Sequence, residues 1–171
     1  YKRQAVHSAA TWLAARGVTA NQVTLVGFGF GLAAAVMIAL GFAGAAMLPL
    51  LLNRMLDGID GALARLTRPT ERGAFLDIAL DFVFYAAIPL AFAVQDPAAN
   101  ALAAAVLLAA FLATGTSFLA FAVIAEKRGL KSTGYPSKSF YYLGGLTEGT
   151  ETIACFLAMC AWPQHFAVIA G

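Results

Sequence analysis

The sequence predicts an all-α membrane protein, a polytopic bundle of transmembrane helices, and three observations carry that reading. Of the 171 residues, 61% are hydrophobic and only 12% are charged, against roughly 25% charged in a soluble domain. No Asp, Glu, Lys or Arg occurs between Arg16 and Arg54, or between Asp96 and Glu126. Each gap exceeds the roughly 20 residues that a spanning helix requires. The basic residues that remain are segregated along the chain. Lys2, Arg3 and Arg16 precede the first apolar stretch, Arg65, Arg68 and Arg72 surround the second connection, and Lys127, Arg128, Lys131 and Lys138 occupy the fourth. The connections at residues 41–44 and 95–98 carry neither Lys nor Arg. By the positive-inside rule, the N-terminus and all three basic segments face the cytoplasm. A net charge of +2, with no folded basic domain behind it, gives no footing for nucleic-acid binding.

The elements follow in order. Residues 1–16 mix Trp12 and Leu13 with Lys2, Arg3, His7 and Arg16, the pattern of a short amphipathic helix lying at the interface. They are too short and polar to span, and nothing in them reads as a cleavable signal. The first spanning helix is expected at about residues 19–40, where Gly27, Gly29 and Gly31 invite close packing of a neighbouring helix. A tight turn follows at residues 41–44. The second helix, with Pro49 early in it, runs to about residue 66. Residues 67–72, with Pro69, form a short cytoplasmic connection to a third helix at about residues 73–94, which Asp96-Pro97 ends.

The fourth helix, at about residues 98–125, is rich in Ala and Leu. Its hydroxyls Thr114, Thr116 and Ser117 suit contacts between helices better than a ligand. A polar loop at residues 126–139 leads through Phe140, Tyr141 and Tyr142, an interfacial aromatic group, to a fifth helix at about residues 141–160. Cys155 and Cys160, five apart with no metal-type partner, read as packing residues. Trp162-Pro163 marks an outer turn. Residues 165–171 leave two readings open, five spans or the start of an incomplete sixth, and their apolar, uncapped character favours the second. No repeat or low-complexity linker divides the chain, so residues 1–171 form one domain.

The chemistry lies in four aspartates. Asp57 and Asp60 are three apart, and Asp77 and Asp81 are four apart, so each pair shares one helix face. Carboxylates in an apolar segment are costly and mark functional sites. Asp57, Asp60, Gly61, Ala64 and Arg65 form a stripe on the second helix, and Gly73, Asp77 and Asp81 form one on the third. A short connection makes the two helices antiparallel neighbours. Arg65 lies about 12 Å along the axis from Asp57, and Gly73 lies as far before Asp81, so the stripes match in height and all four carboxylates can converge below the cytoplasmic surface.

An oxygen-only set of this kind suits Mg²⁺, with Mn²⁺ as a substitute. Two such ions can neutralise a pyrophosphate and its leaving group. Gly61, Ala64 and Gly73 clear space beside the backbone, Arg65 is placed to clamp phosphate oxygens, and one carboxylate can deprotonate an incoming hydroxyl. A competing reading pairs the acids with Arg54, Arg65, Arg68 and Arg72. A second makes them the coupling site of a cation-driven transporter, although they cluster toward the cytoplasmic half and not at the midplane.

The stretch from Asp57 reads D-G-I-D-G-A-L-A-R, then seven residues, then G-A-F-L-D-I-A-L-D. It resembles the signature of the CDP-alcohol phosphatidyltransferases, D-x2-D-G-x2-A-R, a spacer of seven or eight, then G-x3-D-x3-D. Asp57, Asp60, Gly61, Ala64, Arg65, Gly73, Asp77 and Asp81 match every fixed position. The resemblance implies six transmembrane helices (the last incomplete here), a homodimer, an active site near the cytoplasmic face of a bacterial inner membrane, and displacement of CMP from a CDP-linked lipid such as CDP-diacylglycerol by an alcohol. By motif position, Asp57, Asp60, Asp77 and Asp81 would hold two metal ions, Asp81 would also be the base, and Gly61, Ala64, Arg65 and Gly73 would line the CDP site. Family members often carry a T-P-N-x-x-T-like stretch before the first span. Here it reads Thr19-Ala20-Asn21-Gln22-Val23-Thr24, with Ala20 in place of proline. Asn21 and Thr24 then approach the nucleotide, or serve only as helix caps.

The acceptor alcohol is expected to meet the loop and the start of the fifth helix. Lys131 and Lys138 suit a phosphorylated acceptor or a lipid-headgroup surface. Glu148, with Glu151 three residues on, is an acid in a spanning segment and needs a reason to be there. This region does not match the patterns of phosphatidylglycerol phosphate, phosphatidylserine or inositol phosphate lipid synthases, and is closest to a bacterial inner-membrane branch of the family. Hydrolysis of the CDP-lipid pyrophosphate by the same acids is the nearest enzymatic alternative, and a non-catalytic structural member is another.

Overall fold

A computed structural model describes residues 2–129 and 149–171, and every described element is helical. Helix α1 (Lys2–Ala14) is followed by α2 (Ala20–Ala39), α3 (Ala43–Thr67), α4 (Glu71–Gln95) and α5 (Pro97–Lys127). From residue 149 onward come α6 (Gly149–Ala161), a single 3-10 turn (Pro163–His165) and α7 (Phe166–Ala170). The chain is a membrane helix bundle. Helices α2, α4 and α5 are long and apolar enough to cross a bilayer by themselves. Helix α3 is as long as α4, 25 residues, but carries Arg54, Asp57, Asp60 and Arg65 from its middle onward.

Local chemistry sets the boundaries. Thr19 caps α2 with a reciprocal capping box, its side chain accepting from Gln22 N while the Gln22 side chain accepts from Thr19 N. Thr70 caps α4 through Gly73 N, and Asp96 caps α5 through Ala99 N, with Pro97 at the first helical position, where its missing N–H costs nothing. Gly41, at φ +87°, makes the turn out of α2 in a conformation that favours glycine. Helix α3 starts at Ala43, earlier than the expected turn at residues 41–44 allows, and so runs through Pro49. Pro89 likewise sits inside α4. A spanning helix tolerates such a proline because neighbouring groups satisfy the freed carbonyl.

Helix α2 is the centre of the bundle, packed closely on both α3 and α4. Its contact face carries Gly27 and Gly31. A Cβ on Gly27 would sit 3.2 Å from Leu56 Cβ, and one on Gly31 would sit 2.6 Å from Phe84 Cδ2. Gly29 faces outward, with nothing near it. Of the three glycines expected to promote packing, two do so. The main core joins Ile38, Leu50, Phe84, Ile88, Phe92, Phe156 and Phe166, all fully or almost fully buried. A second cluster seats α1 on α3 through Ala10, Ala62 and Leu63. Trp12 lies exposed on the outer side of α1 with the Arg16 guanidinium 3.3 Å over its ring.

Two expectations change. The hydroxyls of α5 do not reach another described helix: Thr116 bonds back to Leu112 O at 2.7 Å and Ala113 O at 3.1 Å, and Gly115 makes the contact, against Phe82. Cys160 is buried, but Cys155 is exposed. After α6 the chain bends by 115°, and Phe166 of α7 stacks on Phe92 at 4.5 Å, so residues 166–170 fold back onto the bundle. The expected start of the fifth helix, with the aromatic group at residues 140–142, lies outside the described residues.

Candidate metal and phosphate site

Helices α3 and α4 make hardly any close backbone contact with each other, because α2 packs on both. The sequence predicts packed antiparallel neighbours, whereas the structure holds the two aspartate-bearing helices on either side of a cleft. Thr24, Gly27 and Phe28 of α2 line it with Asn53, Arg54, Asp57 and Asp60 of α3 and Asp77, Leu80, Asp81 and Phe84 of α4. All four predicted carboxylates face this one space. The helical spacing of each pair accounts for that.

Within the cleft they divide into three and one. Asp57, Asp60 and Asp77 each offer a carboxylate oxygen, and these oxygens lie within 4.8 Å of one another. Opposite ligands of an ion with bonds near 2.1 Å stand about 4.2 Å apart, so the group needs little adjustment to surround one small cation. The donors are all carboxylate oxygens, the chemistry that Mg²⁺ and Mn²⁺ accept. Asp60 is buried, at 5% exposure, and Thr24 donates its hydroxyl to Asp60 Oδ2 at 2.7 Å. Asp57 is half-buried and Asp77 is exposed toward the cleft mouth.

Asp81 is held by Arg54. Its Oδ1 accepts from Arg54 Nη2 at 2.7 Å, and Arg54 Nη1 lies 3.5 Å from Asp57 Oδ2. The guanidinium is fixed from behind. Its Nε donates to Asn53 Oδ1 at 2.9 Å, and Asn53 Nδ2 donates to Gly27 O at 2.9 Å. Ion pairing by Arg54, considered above as a competing reading for all four acids, thus takes Asp81 and the edge of Asp57. Arg54 and Asn53 were not among the predicted site residues. Their signal was legible: an Arg one helical turn before Asp57, inside a spanning helix, needs an acid partner.

Of the other predicted residues, Thr24 lines the cleft, while Asn21, Gly61, Ala64, Arg65 and Gly73 do not. Arg65 is exposed and folds back over Gly61, where an added Cβ would stand 3.5 Å from Arg65 Nη1. Ala64 is half-buried one turn beyond Asp60. Gly73 lets α4 begin close to α2, for a Cβ there would meet Asn21 Oδ1 at 3.0 Å and Thr70 Oγ1 at 3.1 Å. Asn21 therefore sits against the start of α4, and Thr24 reaches the acid cluster. The N-cap role considered for this pair belongs to Thr19, because the extended residue before the helix, and not one already inside it, can cap. Lys131, Lys138 and Glu148 lie outside the described residues. Glu151 is exposed in the first turn of α6.

Comparison with known proteins agrees with this architecture. The family model described as CDP-alcohol phosphatidyltransferase matches residues 17–169. A curated relative, the inner membrane protein YnjF of Escherichia coli (strain K12), is 55% identical over 151 residues, covering 88% of this chain and 73% of the relative. The crystal structure of Mycobacterium tuberculosis phosphatidylinositol phosphate synthase (PgsA1) with CDP-DAG bound superposes with a TM-score of 0.72 at 22% identity, over 96% of this chain and 83% of that one. At that identity the likeness is one of fold.

Proposed function

Because the chain belongs to the CDP-alcohol phosphatidyltransferase family, we propose that it transfers a phosphatidyl-type group from a CDP-linked lipid to an alcohol and releases CMP, at the cytoplasmic face of a bacterial inner membrane. The observation that carries the reading is the gathering of Asp57, Asp60 and Asp77 oxygens within 4.8 Å in a cleft that also holds Asp81. Divalent cations bound there, Mg²⁺ or Mn²⁺, would offset the charge of the pyrophosphate and of the departing CMP.

The protein's own groups do the rest. Thr24 and the wall of α2 fix Asp60 so that the acid cluster is formed before substrate arrives. Arg65, which folds over Gly61, would pair with a phosphate oxygen. Asn21 and Gly73 shape the opening where the nucleotide would enter. The alcohol oxygen attacks the lipid-side phosphorus, the bond from that phosphorus to the bridging oxygen breaks, and CMP leaves with that oxygen. Of the two roles expected for Asp81, the proposal keeps that of base, taking the alcohol proton. Lys131, Lys138 and Glu148, outside the described residues, are the proposed acceptor contacts. YnjF is named as an inner membrane protein and the PgsA1 structure holds CDP-DAG, which supports the location and the donor class.

The test is CMP release from CDP-diacylglycerol by the purified chain with Mg²⁺, over a panel of alcohols and a no-acceptor control, beside Asp81→Asn. The proposal expects release that depends on the acceptor and on Mg²⁺ and is lost in the variant. Equal release without acceptor would mean hydrolysis instead.

A further inference from the structure

Helix α1 is amphipathic, but its apolar face is taken by protein. Ala10 is fully buried, and Val6, Leu13 and Ala14 pack with it against Ala62 and Leu63 of α3 and Val23 of α2. A helix that lies in the interface by sinking its apolar face into lipid needs that face free. What α1 turns outward is polar, His7, Ser8 and Thr11 beside Trp12 and Arg16. The Arg16 guanidinium covers the Trp12 ring, and Trp12 is still 58% exposed. The charge of this segment has one sign: it holds Lys2, Arg3 and Arg16, and no Asp or Glu precedes Asp57. At the end of the bundle where α3 stops and α4 begins, Arg68 and Arg72 are exposed as well.

Helix α1 is also joined firmly to the acid cluster. Its C-terminus closes as a Schellman motif, with Val18 N donating to Leu13 O at 3.2 Å, Gly17 N donating to Ala14 O at 3.0 Å, and Gly17 at φ +74°. The chain therefore enters α2 through a fixed turn. Val18 belongs to the cluster beneath α1, and so do Val23 and Ile59. Val23 precedes Thr24 and Ile59 precedes Asp60, the two ends of the 2.7 Å hydrogen bond between α2 and α3. Helix α1 thus backs the joint that holds the most buried of the four aspartates.

We propose that the outer face of α1 docks on anionic phospholipid headgroups of the surrounding leaflet, and that this contact braces the Thr24–Asp60 joint, so that membrane surface charge raises activity. Three cations with no acid among them complement a surface of phosphate esters, where each basic residue contributes about fivefold in affinity. Trp12 supplies the ring that sits at headgroup level. A protein partner would need an apolar anchor patch, and Trp12 is the only large apolar side chain exposed among the described residues of α1. The effect on activity rests on the transferase reading above; the docking does not.

The experiment uses the full chain in phosphatidylcholine vesicles with and without phosphatidylglycerol. Trp162 is the second of two tryptophans, so Trp162→Phe leaves Trp12 as the single tryptophan reporter. Its fluorescence is quenched with brominated phosphatidylglycerol or with brominated phosphatidylcholine at equal bromine content. Quenching is expected to favour the anionic lipid, to lose most of that preference in Arg16→Gln, and to keep it in Arg16→Lys. In the same vesicles, at saturating Mg²⁺ because an anionic surface also concentrates the cation, CMP release from CDP-diacylglycerol is expected to rise about fivefold with phosphatidylglycerol. Arg16→Gln is expected to lose most of that rise while matching the unsubstituted protein in neutral vesicles. Equal quenching by the two lipids would overturn the docking. So would a Trp12 shielded from both, since a protein surface would then cover this face. Selective quenching with a rise in CMP release that Arg16→Gln retains in full would overturn the brace. CMP release in no vesicle would overturn the transferase reading and with it the effect on activity, while the quenching ratio would still decide the docking.

Discussion

Thr24 on α2 donates its hydroxyl to Asp60 Oδ2 on α3 at 2.7 Å, across 36 positions of sequence. The hydroxyl has one proton and two acceptors in reach, the other being Ala20 O at 3.0 Å. The shorter contact, to the carboxylate oxygen, is the one that joins two helices. A residue in the first turns of one helix thus fixes the most buried acid of the cleft. It follows that the acid cluster is a property of three helices, not of the aspartate motif alone.

Thr24→Val keeps the shape and removes the donor. We expect the Mg²⁺ concentration for half-maximal CMP release to rise about tenfold, the equivalent of one lost charge-assisted hydrogen bond, with Thr24→Ser near wild type. A Mg²⁺ titration of the initial rate in the two variants measures this. An unchanged requirement in Thr24→Val would mean that Asp60 is held by other groups.

The glycines of α2 give a contrast within one helix. Gly31→Ala puts a methyl group 2.6 Å from Phe84 Cδ2, in a core where Phe84 is 1% exposed. The expected loss is about 1–3 kcal/mol. Gly29→Ala meets nothing within 4 Å and should be neutral or stabilising by up to about 1 kcal/mol through helix propensity. Thermal unfolding of the two variants in the same detergent, followed by circular dichroism, decides it.

Gly73→Ala tests the opening of the cleft. The added Cβ forces Asn21 Oδ1 and Thr70 Oγ1 to yield by a few tenths of an ångström, and Thr70 Oγ1 is also the cap that accepts from Gly73 N. We expect KM for the CDP-lipid to rise several-fold while kcat changes less, with a stability loss of about 1 kcal/mol from the disturbed cap. Steady-state kinetics over donor concentration separate the two parameters. A fall in kcat at constant KM would place Gly73 away from donor binding.

Much of this was legible in the sequence because the relevant signals are local. The charge-free stretches mark α2 and α5, and the three- and four-residue spacings put Asp57 with Asp60 and Asp77 with Asp81 on shared faces. Gly27 and Gly31 announce a close helix contact. What escaped depends on which helix lies between which. The short connection between α3 and α4 suggests direct packing, but the small-residue face of α2 touches both and opens the cleft between them. For the same reason the sequence lets all four carboxylates converge equally, although Asp81 meets Arg54 first. Arg54 was readable as a buried cation in need of an acid, but its choice of partner depends on the α3–α4 separation. Helix α3 begins at Ala43, inside the turn expected at residues 41–44, because Gly41 at φ +87° already reverses the chain.

The central claim is phosphatidyl transfer to an alcohol, and the fate of the lipid-side phosphorus tests it most directly. CDP-diacylglycerol labelled with phosphorus-32 at the phosphate next to the glycerol would be incubated with the reconstituted chain, Mg²⁺ and the panel of alcohols, with Asp81→Asn alongside. The account predicts that the label appears in a new phospholipid bearing the acceptor, one for each CMP formed, and that none appears in the variant. Label recovered as phosphatidic acid regardless of acceptor, or left wholly in the donor with every alcohol, would contradict it.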